Sequence, residues 1–227
     1  MTDRTLQILR DLEAVRENLL ALSDDIWLGI DHNDTQAMNE GVEFKRQYNS
    51  KLSAFDLLAS EISVLVQRFR GVKLDQQEES GSEDEASNDR IIKQLDLEVP
   101  HSIDEDFTFK RPHGFILNGK ATTGITTWRR LYELVCAHLL RRNRDVFLSL
   151  LEHHDFVSNR GHRQFTRDPK AVRSASEVGE GIFTEINLSA NSIRDLIRRL
   201  LDVFEISRED LKIFLREDRD AETEDNG

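Results

Sequence analysis

Arginine is the residue whose placement in this chain most suggests chemistry. Between Asn159 and Arg173 the stretch NRGHRQFTRDPKAVR sets Arg160, Arg163, Arg167, Lys170 and Arg173 among turn formers, with Phe165 available to anchor the loop or stack on a base. Arg129, Arg130, Arg141, Arg142 and Arg144 make a second cluster, and Arg194, Arg198 and Arg199 a third. Arg194 and Arg198 stand four apart, so on a helix they share a face. A guanidinium fork fits phosphate oxygens and stacks flat, which an ammonium does less well. The chemistry implied is contact with a phosphate backbone, whose neutralisation releases counterions and makes binding fall with salt. The competing reading is a solvated basic face, because surface helices carry arginine near their C-terminal ends to complement the macrodipole.

The other reactive residue types make weaker sets. His153 and His154 are adjacent and diverge if they lie on a helix; with Asp155 and His162 they offer a partial metal sphere, and no spacing matches a zinc motif. The turn IDHND is rich in carboxylates, but turn and capping roles account for its residues. Glu177, Glu180 and Glu185, with Asp155 or Asp168, resemble the acids of a metal-dependent nuclease. TEINL, however, lacks the lysine that such strand-borne sites require. No nucleophile elbow, phosphate-binding glycine loop or dinucleotide fingerprint occurs, so the sequence assigns no catalytic residue, no metal ligand and no cofactor. Asn187, Ser189 and Asn191 precede a helix and are accounted for by an N-cap. Cys136 sits inside an apolar helical pattern and reads as a small buried hydrophobe.

These groups must be positioned by a chain of 227 residues with net charge −12, 38% apolar and 33% charged residues. That composition is polar for a globular protein and argues against one large core. The charge is uneven: residues 107–216 hold 19 Lys and Arg against 13 Asp and Glu, while residues 72–106 hold 3 against 12. A basic body is therefore expected between acidic arms. No run of about 18 apolar residues and no signal-like N-terminus are present, so the expectation is a soluble, cytoplasmic protein that does not enter a membrane.

Apolar periodicity supplies the elements. Ile8, Leu12, Val15, Leu19, Leu22 and Ile26 are spaced four and three apart, the seam of a helix over about 3–28. Tyr48, Leu52, Phe55, Ala59, Ile62, Val66 and Phe69 repeat that alternation over about 35–70, after a short turn in which Asp34 can cap. The two predict an antiparallel, coiled-coil-like hairpin over 1–71. Its wide seams, Leu12, Leu19, Ile26, Leu52, Phe55, Ile62 and Phe69 among them, predict self-association, as a dimer or with a helical partner. Residues 72–106 read as an acidic flexible linker, although RIIKQLDLEV can hold a short docked strand or turn of helix, and 217–227 as an acidic disordered tail.

The body over 107–216 reads as a basic α+β domain. Asn118–Gly119 predicts a type I′ turn between two strands. Thr127 can cap a helix carrying Trp128, Leu131, Tyr132, Val135 and Leu139, which Asn143 breaks. GIFTEINL reads as a strand, Ser189 or Asn191 caps a helix with Ile193, Leu196, Ile197, Leu200 and Phe204 inward, and SREDLKIFL ends in a strand. Taken together, these readings predict an α+β protein without catalytic activity, a regulator or accessory subunit that contacts DNA or RNA. The alternative is a scaffold whose hairpin and basic body both bind proteins.

Overall fold

The computed structural model describes residues 2–74, 79–81, 84–157 and 161–216, and the chain divides into two units, Met1–Gln77 and Glu78–Gly227. It is mixed helix and sheet, with helices first and a sheet region after. Among the described residues no helix is long and apolar enough to cross a membrane.

The first unit is a pair of helices, α1 (Thr2–Leu28) and α2 (Thr35–Arg70). The Asp34 carboxylate accepts the Gln36 amide at 2.8 Å and caps α2, which ends on Gly71 in the left-handed region with φ 64°. The Lys45 ammonium donates to Ser23 O and Asp24 Oδ1, each at 3.1 Å, and the Tyr48 hydroxyl donates to Leu19 O at 2.8 Å, so the helices run antiparallel as the short turn between them predicts.

The face turned inward is not the predicted seam. Leu9, Glu13, Arg16 and Ser23 are buried, whereas Ile8 is 60% exposed, and Val15, Leu22 and Ile26 are exposed too. The two stripes are offset by one residue, a rotation of about 100° on a helix. On α2, Leu52 and Ala59 are buried and Phe55 is half-buried, but Ile62 and Phe69, with Leu58 and Leu65, are exposed. The reason is electrostatic. Arg16 Nη1 donates to Glu13 at 2.8 Å, and its Nε donates to Asp56 Oδ1 of α2 at 2.7 Å, so a hydrogen-bonded ion triad fixes the helix register from inside. Leu12 and Leu19 are half-buried, and Leu52, already covered, belongs to no free interface.

The second unit is built on a five-stranded antiparallel sheet in the order β1-β4-β3-β8-β2. Its strands are β1 (Glu79–Ser80), β2 (His101–Ser102), β3 (Pro112–Leu117), β4 (Lys120–Thr123) and β8 (Leu211–Leu215). Asn118 and Gly119 have φ of 51° and 72°, so the β3–β4 turn is the expected one, with both central residues left-handed. Alternate residues of β3 and β8 feed two cores. Phe115, Leu117 and Ile213 join the large core formed with α4 (Trp128–Arg142) and α6 (Ala190–Val203), while Ile116 and Phe214 pack with Ile91 and Leu95 of α3 (Glu85–Leu95). Because both faces are covered, PHGFIL is buried throughout rather than alternating.

The expectation of a flexible linker over 72–106 therefore gives way over most of that stretch. Asp84 caps α3 by accepting the Ala86 and Ser87 amides at 3.3 and 3.2 Å, Ile91 and Leu95 are fully buried, and His101–Ser102 pairs with β8. Two aliphatic residues four apart suffice to dock a helix whose acidic side chains remain in water. Asn88 adds specificity: its Nδ2 donates to Gly119 O at 2.8 Å and its Oδ1 accepts from the Ala121 amide at 2.9 Å, which clamps the hairpin turn. Residues 217–227, expected as an acidic tail, lie outside the described residues.

A three-stranded antiparallel sheet, β5 (Phe165–Thr166), β7 (Ile182–Glu185) and β6 (Ala175–Gly179) in that order, completes the unit with α5 (Arg144–Ser149). Thr127, Asn143 and Ser189 cap α4, α5 and α6 through their side chains, as their types suggest.

Candidate functional site

The arginine-rich loop folds around β5. One side of the resulting cleft is the turn at 154–156, and the other is a short 3₁₀ turn at 169–171 that Asp168 caps by accepting the Lys170 amide at 2.9 Å. The floor is fixed from within. The buried Tyr132 hydroxyl of α4 shares a 2.8 Å hydrogen bond with Thr184, and Gln164 Nε2 donates to Thr184 Oγ1 at 3.0 Å and to Glu185 O at 3.1 Å. Burial pushes the Tyr132 phenol and the Cys136 thiol well up, so both remain neutral packing groups rather than reactive ones.

The opening is about 620 Å³ and is lined by four cations, Arg163, Lys170, Arg173 and Arg199, against two carboxylates, Asp155 and Glu185. Glu185 has a structural role at its rim. Its oxygens accept the amides of Arg173 at 2.7 Å, Ser174 at 3.2 Å and Asn187 at 2.8 Å, which pins the loop that carries Lys170 and Arg173. The Arg199 guanidinium donates to Asp155 O at 2.6 Å and lies 5.7 Å from the centre of the Phe156 ring. These contacts hold it in place without cancelling its charge. Among the described residues Lys170 and Arg173 form no side-chain ion pair.

The three arginine clusters meet only in part: Arg199 of the third joins the loop of the first in the cleft, and Arg144 of the second shares Glu180 with Arg167, while other members are engaged locally. Arg163 is paired bidentately with Glu152, at 2.6 and 3.2 Å, and Arg130 lies 3.1 Å from Glu133. Arg194 donates to Asp195 at 2.9 Å and to Glu105 O at 3.0 Å, and Arg198 meets Asp104 at 2.9 Å. Arg194 and Arg198 thus serve to tie α6 to the segment before β3. Arg167 donates to the Glu180 carbonyl at 3.2 Å, and Arg144 takes the Glu180 carboxylate at 2.6 Å and holds it below its usual range. Arg129, Arg141 and Arg142 belong to α4 and do not line the cleft; Arg160 lies outside the described residues.

The acids that suggested a nuclease are likewise engaged separately. Glu177 accepts the Gly181 amide at 3.1 Å, Glu180 binds Arg144, and Glu185 staples the loop. Asn191 Oδ1 accepts the Phe107 amide at 2.9 Å rather than capping, a role Ser189 fills. His153 and His154 do not diverge, because α5 stops at Ser149; instead their rings stack 4.7 Å apart at the start of the 154–156 turn. Arg199 belongs to the third arginine cluster, but only the fold shows that it faces the loop of the first. No protein-family model matches the chain, and neither does any curated protein or solved structure.

Proposed function

We propose that the chain is a non-catalytic regulator or accessory subunit that binds DNA or RNA through the cleft of its second unit and associates with a copy of itself through its first. The observation that carries this reading is the cleft's composition: four cations against two carboxylates, with Lys170 and Arg173 forming no side-chain ion pair among the described residues and Arg199 bonded to carbonyls. Phosphate is the ligand such a surface suits, since it accepts from several guanidinium and ammonium donors at once. The exposed stripes Ile8–Val15–Leu22 and Leu58–Ile62–Leu65–Phe69 support the second half of the reading, as an apolar surface of this kind favours a partner helix pair.

Fluorescence anisotropy with labelled single-stranded and double-stranded DNA and RNA, at about 50 and 200 mM salt, tests the first half. The expected result is binding that weakens steeply with salt and falls at least about tenfold in a Lys170→Glu, Arg173→Glu double variant. Arg198→Ala, at a carboxylate-paired position, is expected to stay within about twofold of the parent, given the small worth of exposed pairs. Equal binding by the double variant removes the cleft from the reading. Absence of binding to any of the probes leaves the scaffold alternative, which the exposed apolar stripes also favour.

A further inference from the structure

We propose that His153, His154 and Asp155 form a mononuclear site for a divalent transition metal, zinc by ligand chemistry, at the edge of the cleft. The three side chains bring ligand atoms within 4.8 Å of one another. Asp155 Oδ1 lies 3.2 Å from His154 Nε2, and Asp155 Oδ2 lies 3.7 Å from His153 Nδ1. Tetrahedral zinc with bonds near 2.0–2.1 Å separates neighbouring ligand atoms by about 3.3 Å; the His154 contact is close to that edge, and the His153 contact, made to the other carboxylate oxygen, reaches it by rotation of the carboxylate. Two imidazoles and a carboxylate are a donor set that suits zinc ahead of magnesium or calcium.

The turn brings His153 and Asp155 together. His153 is half-buried, its ring seated against Phe156 at 5.9 Å, and its Nδ1 accepts only a long 3.4 Å bond from the Asp155 amide. A bond that long is weak, so the lone pair exchanges readily from the amide to an ion. Asp155 is held by the turn itself and by Arg199, which donates to its carbonyl at 2.6 Å. His154, 85% exposed at its side chain, is free to leave the stacked arrangement so that its ring plane, like that of His153, contains the ion. The remaining position faces solvent and takes water, the open arrangement of a three-ligand site. This inference is independent of what fills the cleft, since the ligands belong to one tetrapeptide and its turn.

The test is titration of the full-length protein with Co²⁺, followed by its visible absorption and by displacement with Zn²⁺, in the absence of nucleic acid. One equivalent is expected to bind saturably and to be removed by a chelator. His154→Ala and Asp155→Asn, both at exposed positions and checked for folding by circular dichroism, are each expected to weaken binding at least about tenfold, while His32→Ala in the first unit leaves it unchanged. No saturable uptake, or uptake unaltered in both site variants, overturns the proposal and leaves only a local histidine–carboxylate ion pair.

Discussion

Asp106 shows how a single exposed carboxylate is harnessed to order a loop. The Thr108 side chain, the Asn191 amide at 3.0 Å and the Thr108 backbone N–H at 2.7 Å hold its pKa down to about 2. A carboxylate whose folded value lies below its unfolded one stabilises the fold above the unfolded value, about 4, and that contribution is lost as pH falls through about 2. Titration by NMR is expected to place Asp106 near 2 in the parent and closer to 3.8, its ordinary value, in Asn191→Ala. An unmoved value in that variant would show that Asn191 is not the partner that matters. Little of this was legible beforehand: Asn191 stands where local rules place a helix cap, and its contact with Phe107 spans 84 positions. Capping by Thr127 and Ser189 was legible, because an N-cap is decided within four residues, whereas Asn143 was read only as a break.

Among the elements, the helix pair owes its register to a charge cluster rather than to its cleanest apolar stripe. Arg16 and Glu13 have side chains 7% and 6% exposed, and Asp56 from α2 completes the set. Asp56→Ala leaves a buried guanidinium short of a partner and is expected to destabilise this unit by ~3–5 kcal/mol, read by urea unfolding. Replacing Arg16, Glu13 and Asp56 together with Met, Leu and Leu is expected to cost far less, and a similar loss in both variants would argue against the pairing as the cause. The four-and-three spacing identified both helices, and the short turn between them their antiparallel sense. It did not reveal which stripe turns inward, since α1 carries two stripes one residue apart and the inner one is interrupted by Glu13 and Arg16. For α3 the obstacle was composition: the acidic stretch before it masks Ile91 and Leu95, its fully buried aliphatic anchors, and Asn88 gives no local sign that it will grip a turn some thirty residues downstream.

For the molecule as a whole, the stripe left outside becomes the decisive feature. Light scattering of the full-length protein at tens of micromolar is expected to report an oligomer, and Val15→Lys with Leu22→Lys is expected to return it to monomer, because charges in an apolar helix seam oppose pairing. A monomeric parent, or an oligomer indifferent to both lysines, would end the self-association reading. The basic character of the cleft was legible in part. The loop from Arg163 to Arg173 does form a basic opening, but of the distant clusters only Arg199 lines it, and Arg130, Arg144, Arg194 and Arg198 bind nearby carboxylates instead. Summed charge counts cations without saying which are already spoken for. The Glu185 staple carries a kinetic corollary. Three amides gathered on one side chain give Lys170 and Arg173 a common, settled backbone before any ligand arrives, so little ordering entropy remains to be lost at encounter. Glu185→Ala should therefore slow productive capture even though it removes a negative charge, the reverse of what simple electrostatic steering predicts.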